Sequence, residues 1–420
     1  MHCDKSAGKR NSGIVRVAGV LTNVVPYHHA RWEAFSGRAG RECHVVELRD
    51  QDAFKVLEFS AAASYRRHTL FPRDGGGTLS THTLLQGMAD KLRTLQPEVV
   101  CVSGWALPVS LAALSWAASN GVCVVVLSES NEFDEVRSWL KEFIKRRIIG
   151  LCSAGLAGGN PQADYLVKLG LPRDAVALGY DVVDNDYFAA KVTAIRNTPL
   201  DSSAAAAPHF LACCRFGHKK NLPRLIEAYA RYRELAQHTA NPNPTANLWP
   251  LVIVGDGEMR SDTQATIERC CVSDSVRLVG AKSYSETPSY YARAGAFIHA
   301  STTEQWGLVV NEAMASGLPV LISNRCGCAR DLVQPGVNGF TFDPYDVEQL
   351  GQLMLKISNP DFPLAAFGDA SRTIISEWGP ERFASGLQSA VDKALEVGPK
   401  RASLLQRILL RALLWRYGDR

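Results

Sequence analysis

The sequence predicts an α/β protein of two doubly wound parallel-sheet lobes, and three observations carry that expectation. Short β-branched runs alternate with helical patterns almost throughout, as they do where strand–helix–strand units build parallel sheets. One segment with neither period, 197–208 (NTPLDSSAAAAP), interrupts the alternation, which then restarts. The 420 residues also exceed one ordinary core, at roughly 100–200 residues per domain.

Taken in order, the first half is expected to hold strands over 14–20, 43–48, 99–103, 123–127 and 175–179. Helical patterns fill 30–38, 109–118, 135–149 and 161–169, and the glycine cluster at 73–77 reads as a surface turn. Beyond the interruption, strands are expected over 210–214, 251–254, 276–279, 296–299, 319–322 and 339–342, with a helix over 221–234. The stretch 237–250, which contains Asn-Pro-Asn-Pro, reads as an inserted surface loop. Helices run from Asp346 to the end, broken at Trp378-Gly-Pro380, where proline stops a helix and the chain is expected to cross between lobes. The expected division is a first lobe over 1–196, a linker over 197–208, a second lobe over 209–377 and closing helices over 378–420. In such sheets ligands sit in the crevice at the strand carboxyl ends.

Composition narrows the function classes. Apolar residues make up 46% and charged residues 21%, a balance that buries a core rather than leaving the chain disordered. The net charge of +4, from 46 basic and 42 acidic residues, is too mild and too mixed for a nucleic-acid duplex as main partner. The eleven cysteines are odd in number, and the close pairs Cys213–Cys214, Cys270–Cys271 and Cys326–Cys328 lack the two-residue gap of zinc or redox dithiol motifs. A reducing compartment follows. The first thirteen residues have no apolar core of a secretory signal, and no run approaches the about 18 apolar residues of a membrane span, so a cytoplasmic protein is expected.

The stretch from His299 to Val320, HASTTEQWGLVVNEAMASGLPV, carries most of the chemistry. A strand ends near Ala300, a loop follows, and a helix is expected from about Gly307 to Ser316, closed by Gly317. The backbone N–H groups of Trp306, Gly307 and Leu308 at its start form an anion site by construction. Glu304 precedes the helix and Glu312 lies over a turn inside it, which puts carboxylates at two depths beside that site. Such a set suits a molecule with hydroxyls at both ends and phosphates between, because a carboxylate accepts two hydrogen bonds from a diol. By spacing alone, a solvated Glu304 and a helix-surface Glu312 read equally well. Elsewhere, Gly255-Asp-Gly257 lacks the third glycine of a dinucleotide fingerprint, since Arg260 stands in its place. Asp50-Gln-Asp52 and Asp184-Asn-Asp186 imitate a metal-binding Asp-x-Asp but read as surface, and no other carboxylate or histidine cluster has metal spacing.

The pattern Glu304-x7-Glu312 followed by Ala313-Met-Ala-Ser-Gly-Leu-Pro-Val320 resembles the signature of retaining glycosyltransferases of the family-4 type. Arg215-Phe-Gly-His-Lys-Lys220, Leu251–Gly257, Val276–Gly280 and Asn338-Gly-Phe340 are similar to further motifs of that family, in the same order. The resemblance implies a GT-B fold, two Rossmann-like lobes facing a cleft, with a nucleotide diphosphate sugar on the second lobe and no metal or other cofactor. It further implies that Glu312 binds ribose hydroxyls, that Glu304 contacts the donor sugar, and that Arg215 and Lys220 neutralise the departing diphosphate. Lys219 takes the place of Lys220 if the register is off by one. Lys282 falls where the family's base pocket tends to lie. On the first lobe the sequence departs from the family: Gly19 to Asn23 replaces a Gly-Gly loop, and the run from Leu127 to Glu132 has no histidine, leaving Glu129, Ser130, His28 or His29 for the acceptor side.

The implied activity is transfer of a hexose to a hydroxyl on a sugar or a lipid-linked acceptor. A nucleotide-sugar epimerase of the same fold would need acid and base groups around the sugar and no acceptor. An inactive binding module would not be expected to keep Arg215, Lys220, Glu304 and Glu312 together. Finally, 400–417 (KRASLLQRILLRALLWRY) is basic and amphipathic, a pattern that suits either peripheral contact with the inner face of a membrane or packing on its own domain.

Overall fold

The computed structural model describes residues 13–50, 63–72, 79–198, 208–238 and 248–418. Seven strands form the first sheet: β1 (Val15–Leu21), β2 (Arg41–Glu47), β3 (Arg66–Thr69), β4 (Val99–Ser103), β5 (Cys123–Ser128), β6 (Ala154–Ala157) and β7 (Val176–Leu178). They are parallel, in the order β3-β2-β1-β4-β5-β6-β7. Helices α1 (Pro26–Ser36), α2 (Thr81–Leu95), α3 (Pro108–Asn120), α4 (Trp139–Ile149) and α5 (Asn160–Lys168) cover its faces, and α6 (Asn185–Asn197) follows. Because both faces are covered, the central strands are apolar along their length: Val99, Val100, Cys101, Val125 and Val126 are all buried.

The second sheet holds β8 (His209–Cys213), β9 (Leu251–Val254), β10 (Val276–Leu278), β11 (Ala294–His299), β12 (Val320–Ser323) and β13 (Gly339–Phe342), again parallel, in the order β10-β9-β8-β11-β12-β13. Its helices are α7 (Leu222–Gln237), α8 (Arg260–Arg269), α9 (Thr287–Arg293), α10 (Leu308–Ala315), α11 (Ala329–Leu332), α12 (Val347–Ser358) and α13 (Leu364–Ser376). The chain closes with α14 (Pro380–Val397), opened by Pro380 and packed on the first sheet against α1 and β5 to β7, and α15 (Leu404–Gly418), packed on α2, α3 and α4. This is the GT-B architecture.

Four elements escape the periodicity. β6 reads Ala-Gly-Leu-Ala and β3 reads Arg-Arg-His-Thr, so neither carries a β-branched run, and each is placed by its neighbours in the sheet. Helix α2 is capped by Ser80, which accepts from Thr83 N. Helix α6 begins at the Asp184–Asp186 stretch: Asp184 accepts from Tyr187 N at 2.9 Å, which makes that carboxylate a helix cap. Val183, Phe188 and Val192 share an apolar cluster with Phe297, Val310 and Met314, so α6 packs with the second sheet's helices. The expected helix over 135–149 starts only at Trp139, because Ser138 caps it. The turn at 73–77, most of 237–250 and all but the ends of 197–208 lie outside the described residues.

Candidate active site

The second lobe's polar groups converge where β8 and β11 end. A short 3-10 turn, His218–Lys220, follows β8 and carries two lysines towards the loop after β11. Lys219 Nζ donates to Glu304 Oε1 at 3.1 Å, and Lys220 Nζ pairs with Glu304 Oε2. His299 Nε2 lies 3.3 Å and Ser301 Oγ 3.4 Å from that same Oε2. The backbone is pinned as firmly: Thr302 N donates to Lys219 O at 2.8 Å, Glu304 N to Arg325 O at 3.3 Å, and Gly327 N to Glu304 O at 3.0 Å. Burial alone would raise the Glu304 carboxyl, but the His299 hydrogen bond and the Lys220 and Lys219 charges outweigh it and hold it well below the usual carboxylate range. Burial pushes His299 down, against the pull of Glu304. The cluster is a fixed carboxylate with two cations.

Gly307 turns the chain from this loop into α10 at φ +106°, a conformation that glycine adopts without strain. Val310 N is bonded to Gly307 O at 2.8 Å, so the N–H groups before it form the helix's unbonded start, beside Glu304 and His299. Trp306 is expected at the site through its backbone N–H; its indole is buried, tilted against Trp378 with ring centroids 5.2 Å apart, and donates to Asn311 Oδ1 at 2.9 Å. One turn deeper, half-buried Glu312 accepts from Tyr291 Oη at 2.7 Å. Burial pushes the Glu312 carboxyl up to about 7 although the Tyr291 bond opposes it, and burial with Glu312 raises Tyr291 in turn. Arg215 is exposed on the loop after β8, and Lys282 is half-buried on the loop after β10.

The first lobe faces this cluster across a cleft. A cavity of about 370 Å³ is lined by Asn23, Tyr27, His28, Glu129, Ser130 and Tyr180 among others. A second, of about 580 Å³, reaches Lys219 and Glu304, and the two share Trp105, Ala106, Ser130 and Gln305. The loop from Thr303 to Trp306 is stitched across: Asn131 Nδ2 donates to Gln305 O at 3.2 Å, Gln162 Nε2 to the same oxygen at 2.6 Å, and Gln305 Nε2 lies 3.3 Å from Ser130 Oγ. Gly19 is not part of this cleft. It lies under Trp32, whose ring a Cβ would meet at 2.1 Å, so packing explains the glycine.

Sequence reasoning missed His299, Ser301 and Asn131. The signal available for the first two was a pair of polar residues at the carboxyl end of a buried strand. It also missed a buried pair, Arg31 and Asp181, 3.7 Å apart with the guanidinium between the Tyr27 and Tyr180 rings, each 4.9 Å away. Burial and the nearby Glu129 charge raise Asp181 strongly against the pull of Arg31. Among the described residues, no group of three or more His, Cys, Asp or Glu is placed to hold a metal, and no helix is long and apolar enough to cross a membrane.

Known proteins match this chain in sequence and in fold. Residues 204–372 match the family Glycosyl transferases group 1. An uncharacterized glycosyltransferase of Haemophilus influenzae is 32% identical over 136 residues, which are 32% of this chain and 38% of that protein. The poly(glycerol-phosphate) alpha-glucosyltransferase of Bacillus subtilis is 26% identical over 215 residues, 50% of this chain and 30% of its own. The chain thus spans well under half the length of these relatives. Among solved structures, HepE of Anabaena in complex with UDP superposes with a TM-score of 0.67 at 16% identity, covering 90% of this chain and 100% of that one. The segment that carries Lys219, Lys220, Glu304 and Glu312 therefore matches the Glycosyl transferases group 1 family, within a chain of GT-B fold.

Proposed function

We propose that the protein is a retaining glycosyltransferase that moves a sugar from a nucleotide diphosphate sugar to a hydroxyl acceptor, without a metal ion, in the cytoplasm. The observation that carries this reading is the Glu304 carboxylate held between Lys219, Lys220 and His299 at the start of α10, on the wall of a cavity reaching the first lobe. Glycosyl transfer needs fixed positive charge where the leaving diphosphate becomes more negative. Two lysines, Arg215 and the unbonded N–H groups of α10 supply it. As phosphates draw the lysines away, the low-pKa Glu304 is left ionised to accept hydroxyl hydrogen bonds from the sugar. Glu312, deeper along α10, accepts from the ribose, and Lys282 flanks the base.

We read the acceptor as entering the first-lobe cavity past Asn23, Glu129 and Ser130, with the first sheet and α14 as the acceptor lobe and the second sheet with α6 as the donor lobe. The Bacillus relative's name, an alpha-glucosyltransferase acting on a poly(glycerol-phosphate), supports both retention and an acceptor carried on a larger molecule. The Anabaena structure's UDP favours a uridine donor. The test is thermal stabilisation of the purified protein by UDP, GDP, ADP and their sugar derivatives, with no metal added. One diphosphate is expected to raise the melting temperature, because a ligand that binds only the folded state stabilises it by mass action. A flat panel overturns the reading.

A further inference from the structure

The large cavity has a second end. Besides Glu304 and Lys219, it is lined by Ile144 and Ile148 of α4 and by Leu413 and Arg416 of α15. The two helices are neighbours, tied by Gln406 Nε2 donating to Arg147 O at 2.8 Å. Helix α15 already spends one apolar face on the fold, where Leu410 and Leu414 are each 2% exposed against the first lobe. Its opposite side is apolar as well: Leu404 is 77%, Ile408 55% and Trp415 72% exposed, spaced by four and seven residues along one side of the helix. Helix α4 and the turn before it repeat the pattern, with Phe133 70%, Val136 90% and Trp139 81% exposed. Folding does not use these side chains, and large apolar groups left exposed on two neighbouring helices mark a binding face.

Charge selects the occupant. From Lys400 to Arg416 there are five basic residues and no acidic one; α4 adds exposed Arg146 and Arg147, while the acidic side chains on and before it, Glu132, Asp134, Glu135 and Glu142, are each paired with a lysine or arginine. A second copy of the chain would bring these like charges together. An apolar face with tryptophans and a basic flank is instead what lies in the interface of an anionic bilayer.

We propose that α4 and α15 form a single docking face for an anionic lipid surface, so that the cavity leading to Glu304 opens towards the bilayer. The proposal rests on the transferase reading for its purpose, since a lipid-linked hydroxyl would then reach the donor sugar without crossing water. The docking itself is independent of that reading. The face holds the protein at the surface through side chains that need not cross the hydrocarbon, in keeping with helices too short and too charged to span it.

Sedimentation of the full-length protein with phosphatidylcholine vesicles, with and without phosphatidylglycerol, tests it. Binding is expected only with phosphatidylglycerol, and each of Arg407→Glu and Arg411→Glu is expected to weaken it at least about fivefold, since each basic residue near such a surface contributes on that order. Trp139→Glu combined with Trp415→Glu is expected to abolish binding while leaving the melting temperature and the nucleotide-induced shift unchanged. Absence of sedimentation with phosphatidylglycerol, sedimentation that the variants do not alter, or a concentration-dependent dimer abolished by the double tryptophan variant would each overturn the proposal. Vesicle binding with a flat nucleotide panel would sink the transferase reading and leave the docking face standing. A nucleotide shift without vesicle binding would do the reverse.

Discussion

The two lobes are wound alike and equipped differently. β1 and β4 in the first sheet occupy the same places as β8 and β11 in the second, central neighbours at which the strand order reverses. Topology opens a crevice at that point in both. In the first lobe the crevice is bordered by Asn23, Tyr27, His28, Ser103 and Trp105, mostly neutral. In the second, the equivalent loops bring two lysines, a histidine and a low-pKa glutamate within hydrogen-bond reach of one another. The shared winding makes a place for ligand, and the side chains after two strands decide whether that place handles charge.

The largest expected effect tests that contrast directly. Lys220→Ala should lower kcat by about 10²–10³-fold, the loss typical of removing one fixed group that stabilises developing negative charge. Asn23→Ala, at the matching place in the first lobe, should act mainly on the acceptor KM. Measured with a matched donor and acceptor, equal losses of kcat from both variants would break the comparison.

Next in size is Gly19→Ala. The new methyl would meet the Trp32 ring at 2.1 Å within a buried strand. Overpacking of this kind costs about 1–3 kcal/mol, or a melting temperature lower by on the order of 5 °C. Nucleotide binding should be unchanged, because this glycine serves the first lobe's core. A variant of normal stability with impaired acceptor use would return Gly19 to the site.

These cases show where the sequence was legible. Glu304, Glu312 and Lys220 lie within two short motifs on one lobe; spacing alone left the two glutamates even with a surface reading, and the resemblance of the motifs to a family singled the three residues out. Gly19 looked like a loop glycine after a strand because a sequence does not show which ring a glycine makes room for. Trp306 was placed by its backbone, and its indole went to Asn311 nearby and to Trp378 far along the chain. Strands β3 and β6 were illegible because polar or alanine-rich sequences become strands only beside strands already formed. Asn131 and Gln162 reach the Glu304 loop from the other lobe, more than 140 positions away in sequence.

A smaller effect sharpens the second lobe's side. Glu312 titrates near 7 in the folded protein against 4.5 for a free glutamate, so the folded state holds the extra proton. Its stability cost therefore grows as pH rises from about 4.5 to 7 and is constant above. If ribose hydroxyls bind the carboxylate, nucleotide affinity should rise with pH through that range, by up to about tenfold per unit below the pKa. Titration calorimetry with the nucleotide between about pH 6 and pH 8 should show this slope, and Glu312→Gln should remove it. A slope that survives the substitution belongs to another group.

The smallest effect is expected on the first lobe, where a histidine does not titrate. Burial and the Arg31 charge push His28 down to about 3, and its Nδ1–H donates to Asn23 O at 3.1 Å, so the ring is neutral at any working pH. Because the folded state resists protonation, His28 makes folding less favourable as pH falls from about 6.5 towards 3, and contributes no pH dependence above that window. His28→Asn keeps a donor for Asn23 O. It should shift the acceptor KM by a few-fold at most and leave the kcat/KM profile between about pH 6 and pH 8 the same shape. A limb of that profile lost with the histidine would make the first lobe an acid–base partner rather than a neutral wall, and the contrast between the two crevices would no longer hold.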